Sequence, residues 1–248
     1  MLGLGGGCHN ATEVGFHDQG SINFDGSNDY VQVDNLAGVL ATAFLVGEAN
    51  QVNFTISAWV KLETMSTSGI IFQTRVGTSD HMNLFYHGSG NQLRWLCKFG
   101  GVAETCADSA SGYNLRENDG VWYHLVGTAT HGGNAELWLN GAKADSEAIA
   151  NPLSGTLSTA NIGGNTAETN FWNGTINDVG IWTRCLTDDE IGNIYRNKTI
   201  DLAGALGTNL VGYYRFEEKA GTTAINHADT TNNGTLTNSP TYSTETQG

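Results

Sequence analysis

Apolar and polar residues alternate with a period of two in run after run of this chain, the signature of half-buried β-strands. In FTISAWVKL, Phe54, Ile56, Ala58, Val60 and Leu62 share one face, while Thr55, Ser57 and Lys61 share the other. Similar runs are YVQV at 30–33, IIFQTR at 70–75, QLRWLCKF at 92–99, WYHLVGTA at 122–129, AELWLN at 135–140, TINDVGIW at 175–182 and LVGYYRFE at 210–217. Between them stand tight-turn residues: Asp25-Gly26, Gly100-Gly101, Asn118-Asp119-Gly120, Gly132-Gly133-Asn134, Asn140-Gly141, Gly163-Gly164-Asn165 and Asn233-Gly234. Only one stretch reads as a helix, near 188–196. There Thr187 and Glu190 make a capping-box pair, and Ile191, Ile194 and Tyr195 form a short apolar stripe. Many short strands joined by turns, with no alternating helices, predict an all-β, two-sheet antiparallel sandwich.

The chain has 248 residues, a length that such sandwiches use as one domain. Eleven Lys and Arg against twenty-five Asp and Glu give a net charge of −14, a surface that repels phosphate backbones and anionic lipid headgroups. Nucleic acid is therefore excluded as a partner. No apolar run approaches the ~20 residues of a membrane span, so no membrane insertion is expected. The start, MLGLGGGCHNAT, has no Lys or Arg ahead of a short apolar stretch; it reads as a flexible leader or assembly arm rather than an export signal. Cys8, Cys97, Cys106 and Cys185 match no zinc spacing. A two-residue turn at Gly100-Gly101 places Cys97 opposite Glu104 rather than Cys106. A Cys97–Cys106 disulfide then needs a bulge, and the alternative is two reduced thiols.

Six strings, in this order and spacing, carry a resemblance: SINFDGSNDYVQV, FTISAWVKL, GVWYHLVGTA, ELWLNGAKA, NIGGN and FWNGTINDVGIWTRCLTDDEIGNIYRN. Together they resemble the laminin-G-like domains of the concanavalin-A-like jelly-roll superfamily, over most of residues 20–200. The resemblance implies a jelly roll at 19–242, flanked by the leader at 1–18 and a tail at 243–248. One feature departs from it. In many such domains a strand like LVGYYRFEE precedes the FDG string, whereas here it follows everything else, at 210–242. The order looks circularly permuted, so 210–217 is expected to pair within the chain, beside 20–33 or 173–183.

Asp25, Asn28 and Asp29 crowd one turn and offer the oxygen ligands that Ca²⁺ takes. The resemblance implies a structural calcium between this loop and Asp178, so Asp25, Asn28 and Asp178 are the expected metal ligands. Asn177-Asp178 stands where relatives often carry Asp-Asp, which lowers the ligand charge. The alternative is that Asp25 and Asn28 only shape the turn. Trp138 shares a strand face with Glu136 and Asn140, and an indole among polar groups can stack a sugar; these three are the candidate ligand-binding residues. Trp59 is similarly flanked, but loops folding over the outer face are expected to cover it. No residues are assigned to catalysis: the E-x-D-x-E strand of laminarinase-type hydrolases is absent, as are H-E-x-x-H and G-x-S-x-G. His124 reads as structural. The glycine-rich start and the TLTNSPTYS ending resemble phage virion proteins, in which such domains decorate heads or arm fibres. The expected function is thus a non-catalytic structural or adhesive module of a virion, with glycan recognition, partnered by other virion proteins or by copies of itself. The alternative is a bacterial secreted or cell-surface carbohydrate-binding module; a glycan-processing enzyme ranks last.

Overall fold

A computed structural model describes residues 20–44, 53–65, 67–76, 80–107, 120–130, 132–150, 156–165 and 170–247. The expected leader at 1–18 and Cys8 lie outside these residues. In chain order, β1 (Ser21–Asp25) and β2 (Tyr30–Gln32) lead into α1 (Asp34–Phe44). Next come β3 (Asn53–Leu62), β4 (Gly69–Val76), β5 (Asp80–His87), β6 (Gln92–Phe99), β7 (Val102–Ala107) and β8 (Trp122–Thr130). The chain continues through β9 (Asn134–Leu139), β10 (Ala142–Ala148), β11 (Thr159–Ile162), β12 (Gly164–Asn165), β13 (Asn170–Phe171) and β14 (Asn173–Trp182). After α2 (Asp188–Arg196) and α3 (Leu202–Leu206) it closes with β15 (Leu210–Tyr214), β16 (Thr223–Ala224), β17 (Gly234–Thr237) and β18 (Thr241–Ser243).

All the strands but β12 and β13, which pair only with each other, form the expected two antiparallel sheets. The first runs β10-β9-β8-β3-β14-β1-β18, with β15 also on β14; the second runs β16-β17-β2-β11-β4-β5-β6-β7. The alternation read in FTISAWVKL holds: Phe54, Ile56, Ala58, Val60 and Leu62 point between the sheets, with Phe72, Met82, Leu84, Trp95 and Phe99 facing them from the second. The terminal segment pairs within the chain, Val179 opposite Tyr214 and Ile181 opposite Gly212. It then closes both layers, since β18 pairs with β1 and β17 with β2. The β6–β7 turn spans two residues, Gly100 and Gly101, at φ 57° and 84°. Cys97 therefore faces Glu104, Trp95 faces Cys106, and both thiols are free and buried.

Two helices join the expected one. In α1, Leu36, Ala37, Leu40 and Ala41 are buried on one stripe; alanine and a central glycine keep that stripe faint in the sequence. The five-residue α3 starts where the Asp201 carboxylate accepts from Ala203 N. Among the described residues no helix is long and apolar enough to cross a membrane.

The capping box of α2 is complete. Thr187 N donates to Glu190 Oε2 at 2.8 Å, Glu190 N donates to Thr187 Oγ1 at 3.3 Å, and Arg184 forks onto both carboxylate oxygens at 2.8 Å each. The Arg184 hydrogen bonds, aided by Thr187 and opposed by partial burial, hold the Glu190 carboxyl at about 2. A depressed carboxylate stabilises the fold above its unfolded value of 4.5 and loses that contribution as pH falls toward 2. Glu190→Gln is accordingly expected to lower Tm by about 3 °C at pH 7, the size of a lost cap in a chain of this length. Calorimetry should show that gap closing below pH 4; a constant gap contradicts the assignment.

Candidate functional site

The FDG turn sits where β1 meets the start of β14, because the register places Asp25 opposite Asn173. Gly26 turns the chain at φ 72°, and a Cβ there would lie 2.7 Å from Asn173 Cβ, so only glycine fits. Asp25 Oδ1 accepts from Ser27 N at 2.8 Å and Asn28 N at 3.4 Å, the side-chain-to-backbone turn that the sequence left as the alternative. Beside it lies a pocket of about 190 Å³ lined by Asp25, Gly26, Thr64, Met65, Thr67, Phe171 and Asn173.

Asp178 stands elsewhere. It lies five residues further along β14 than Asn173, about 16 Å at the rise of a strand. There β14 bulges, with Asp178 at φ 47°, and its edge passes from β1 to β15. Its carboxylate accepts from Tyr213 OH at 3.1 Å and from Gln247 Nε2 at 3.2 Å. Asp25, Asn28 and Asp178 therefore do not converge on one ion, which corrects the expected ligand set. Among the described residues no group of three or more His, Cys, Asp or Glu side chains is placed to hold a metal. Asp29 is the carboxylate that does lie near Asp25. It is 4% exposed, its Oδ1 has no hydrogen-bond partner, and burial followed by the Asp25 charge pushes its carboxyl up.

The outer face of the first sheet is covered. Helix α2, α3 and their flanks lay Leu186, Ile191, Ile194, Ile200, Leu202 and Leu206 over Val126, Trp138, Trp182 and Tyr213, building a second apolar cluster. Trp138 is 4% exposed, with the Lys143 ammonium 4.8 Å from its ring centroid. Glu136 is paired with Lys143 at 2.8 Å, and Asn140 Oδ1 accepts from His124 N at 2.9 Å in the β9–β10 turn. The expected sugar-stacking trio Trp138, Glu136 and Asn140 is thus corrected: its indole is inside and its polar groups are engaged. Trp59 is covered as expected, its ring centroid 5.9 Å from that of Tyr195 and 5.0 Å from that of His124.

The outer face of the second sheet has a different character. Met82, Leu84 and Tyr86 of β5, with Leu93, Trp95, Cys97 and Phe99 of β6, point into the core, so the alternate residues point away from it. Pairing then fixes a row across five neighbouring strands: Gln32, Asn161, Gln73, Asn83 and Leu96. Gln73 Nε2 donates to Asn83 Oδ1 at 2.8 Å. On one side of this row lie Arg75, His81 and Lys98; on the other lie Phe85 and, opposite it, Arg94. The floor amides are nearly buried, with Gln73 1% and Asn83 5% exposed, while Tyr30, Phe85, His87, Arg94, Leu96 and Lys98 are half-buried. The buried amides tie the floor together, so the groups within reach of a ligand are the Gln32 amide, the cations and the rings of Tyr30, Phe85 and His87. An amide both donates and accepts, as sugar hydroxyls require, and aromatic faces pack pyranose C–H groups. Strand β5 carries the period-two signal weakly, because Asp80 precedes Met82, Leu84 and Tyr86 on the inward side and the outward side mixes His81, Asn83 and His87 with the aromatic Phe85.

Several solved structures share this architecture. A protein assigned to carbohydrate binding from Bacteroides ovatus ATCC 8483 superposes with a TM-score of 0.63 at 20% identity, over 91% of this chain and 60% of that one. The chain thus spans about 60% of that protein's length. The CBM40 of the Ruminococcus gnavus IT-sialidase, bound to α2,3-sialyllactose, gives 0.54 at 13% identity over 71% and 96% of the two chains. The heptameric SAP-like pentraxin of Limulus polyphemus gives 0.52 at 13% identity over 72% and 82%. No curated protein matches the sequence. At such identities the likeness establishes the fold alone. The family profile goes further, matching residues 25–192, more than half of the chain: the protein belongs to the concanavalin A-like lectin/glucanases superfamily.

Proposed function

We propose that the protein is a non-catalytic carbohydrate-binding module acting at a surface outside the cell, with the outer face of the second sheet as its binding face. The observation that carries this reading is the set of accessible side chains gathered on that face, exposed Gln32 with half-buried Tyr30, Phe85, His87, Arg94 and Lys98, over a floor formed by the buried amides Asn161, Gln73 and Asn83. Carbohydrate-binding proteins among the structural relatives support it. Strands β4 to β6 carry one carboxylate, Asp80, which accepts from Gly100 N at 2.9 Å and Gly101 N at 3.3 Å. Glycoside hydrolysis in most families needs two carboxyl groups flanking the bond, and these strands supply no such pair. Screening the labelled protein on a glycan array is expected to return defined hits, and Phe85→Ala to weaken the best of them about tenfold, the loss of one stacking contact. Silence across the array, or hits indifferent to Phe85→Ala, contradicts this face.

Display on a virion concerns where the module is mounted rather than what it binds. The protein list of a purified virion, read by mass spectrometry, tests that placement. For a structural calcium ion, we propose the Asp25–Asp29 pair as the carboxylates that hold it, on the strength of the unpartnered Asp29 Oδ1. Calcium added to metal-free protein is expected to raise Tm, and Asp29→Asn to abolish the rise. Superimposable melting curves with calcium and with chelator rule the pair out.

A further inference from the structure

Resting on that assignment of the second sheet, we infer that its outer face selects an anionic oligosaccharide, one carrying carboxylate or sulfate groups, through Arg94 and Lys98. The charge distribution carries the argument. Acidic residues outnumber Lys and Arg by 25 to 11 in the whole chain, but β4 to β6 reverse the ratio with Arg75, Arg94 and Lys98 against Asp80. Four cations outside these strands are neutralised, Lys61 by Glu245, Lys143 by Glu136, Arg184 by Glu190 and Arg215 by Glu217. Lys198 is spent on the Gln247 carbonyl, and Arg196 and Lys219 stand apart from β4 to β6. Among the described residues neither Arg94 nor Lys98 meets a carboxylate, in a protein with a large surplus of them. Arg94 Nη2 donates to Gln92 Oε1 at 2.9 Å, and its buried Nε has no partner.

A guanidinium with unspent donors is a fork for a carboxylate or sulfate, and a charge-assisted bond in a half-buried setting is worth more than one in open water. Arg94 and Lys98 lie four residues apart on the same side of β6, about 13 Å along a strand, with Leu96 between them. Phe85 and His81 stand opposite them on β5. That spacing exceeds one pyranose ring, so the two cations suit acid groups on separate sugars of one chain. His87 completes the edge, its ring 6.3 Å from Phe85 and its pKa lowered by burial and by the Arg94 charge. Nucleic acid is the other common polyanion, but a net charge of −14 repels a continuous phosphate backbone and leaves short, sparsely charged glycans as the occupant.

Titration calorimetry on the intact chain at 150 mM salt tests the inference with a heparin-derived hexasaccharide, a hexagalacturonate, a neutral maltohexaose and a single-stranded oligodeoxythymidylate. One or both anionic glycans are expected to bind at least tenfold more tightly than the neutral one, and whichever binds identifies sulfate or carboxylate as the recognised group. Arg94→Ala and Lys98→Ala are each expected to weaken it about tenfold and to flatten its salt dependence, with unchanged melting curves. Arg94→Lys should restore only part of the affinity. Equal binding of the neutral hexasaccharide, or variants without effect, overturns the charge inference while leaving a glycan-binding face. Equal binding of the oligonucleotide overturns it as well. Absence of binding to every sugar removes the underlying function too.

Discussion

Trp95→Ala is expected to destabilise the protein by about 4 kcal/mol, the cost of emptying a buried indole site. Trp95 is fully buried on β6 of the second sheet, but it reaches across the core to the first. Its Nε1 donates to Thr128 O on β8 at 2.8 Å, and its ring stacks on Phe54 of β3 with centroids 6.1 Å apart and planes 12° apart. The indole fills the space that Gly127 leaves open, where a Cβ would lie 2.5 Å from the ring. Truncation opens a cavity between the sheets and strands a buried carbonyl, two penalties that add. Trp95→Phe keeps most of the volume and loses only the hydrogen bond, so about 1–2 kcal/mol is expected. Urea unfolding of the three proteins measures both numbers; a Trp95→Ala cost below about 1 kcal/mol would mean that the sheets are not pinned at this residue.

Acid should weaken the fold steeply, and His124 is the reason. It is fully buried on β8 under α2, with Nε2 2.9 Å from Ser57 Oγ and no hydrogen-bond partner at Nδ1. Burial lowers its pKa to about 3 from the usual 6.5. Above pH 6.5 the ring is neutral in both states and neutral to stability. Below it the unfolded chain takes up a proton that the folded chain refuses, so stability falls until about pH 3. The slope is about 1.4 kcal/mol per pH unit, or about 3 kcal/mol by pH 4. His124→Gln removes the titration and is expected to flatten the profile between pH 6.5 and 4.5, above the range in which Glu190 acts. Unfolding curves at pH 7, 5.5 and 4.5 decide the matter: parallel profiles for the two proteins assign the acid sensitivity to other groups.

Much of this architecture was legible in the sequence because it is local. Period two in FTISAWVKL assigned Phe54, Ile56, Ala58, Val60 and Leu62 to a face that the core confirms, since alternate side chains of a strand always part company. The turn chemistry of Gly100-Gly101 correctly set Cys97 opposite Glu104. The Thr187–Glu190 box marked the start of α2; Trp59 is covered as expected, but by Tyr195 of that helix rather than by a loop. The faint helix α1 escaped, because Gly38 and three alanines dilute its apolar stripe.

Register and layering were decided only in three dimensions. Asp25 and Asp178 look like partners because both lie in strings of one family pattern, but β1 meets β14 at Asn173, and a strand's rise then carries Asp178 out of reach. Trp138 reads as a sugar platform because its neighbours are polar; only the packing of α2, which starts 50 residues later, shows the indole to be covered. The row from Gln32 to Asn83 draws on segments as far apart as residues 32 and 161, brought side by side by inter-strand hydrogen bonds that no window of sequence contains. The sequence by itself determined which way side chains point in the strands its alternation marks, a property of backbone geometry over a few residues. The tertiary structure alone decided which outward-pointing groups meet, because that depends on pairings between distant strands and on which face the helices leave uncovered.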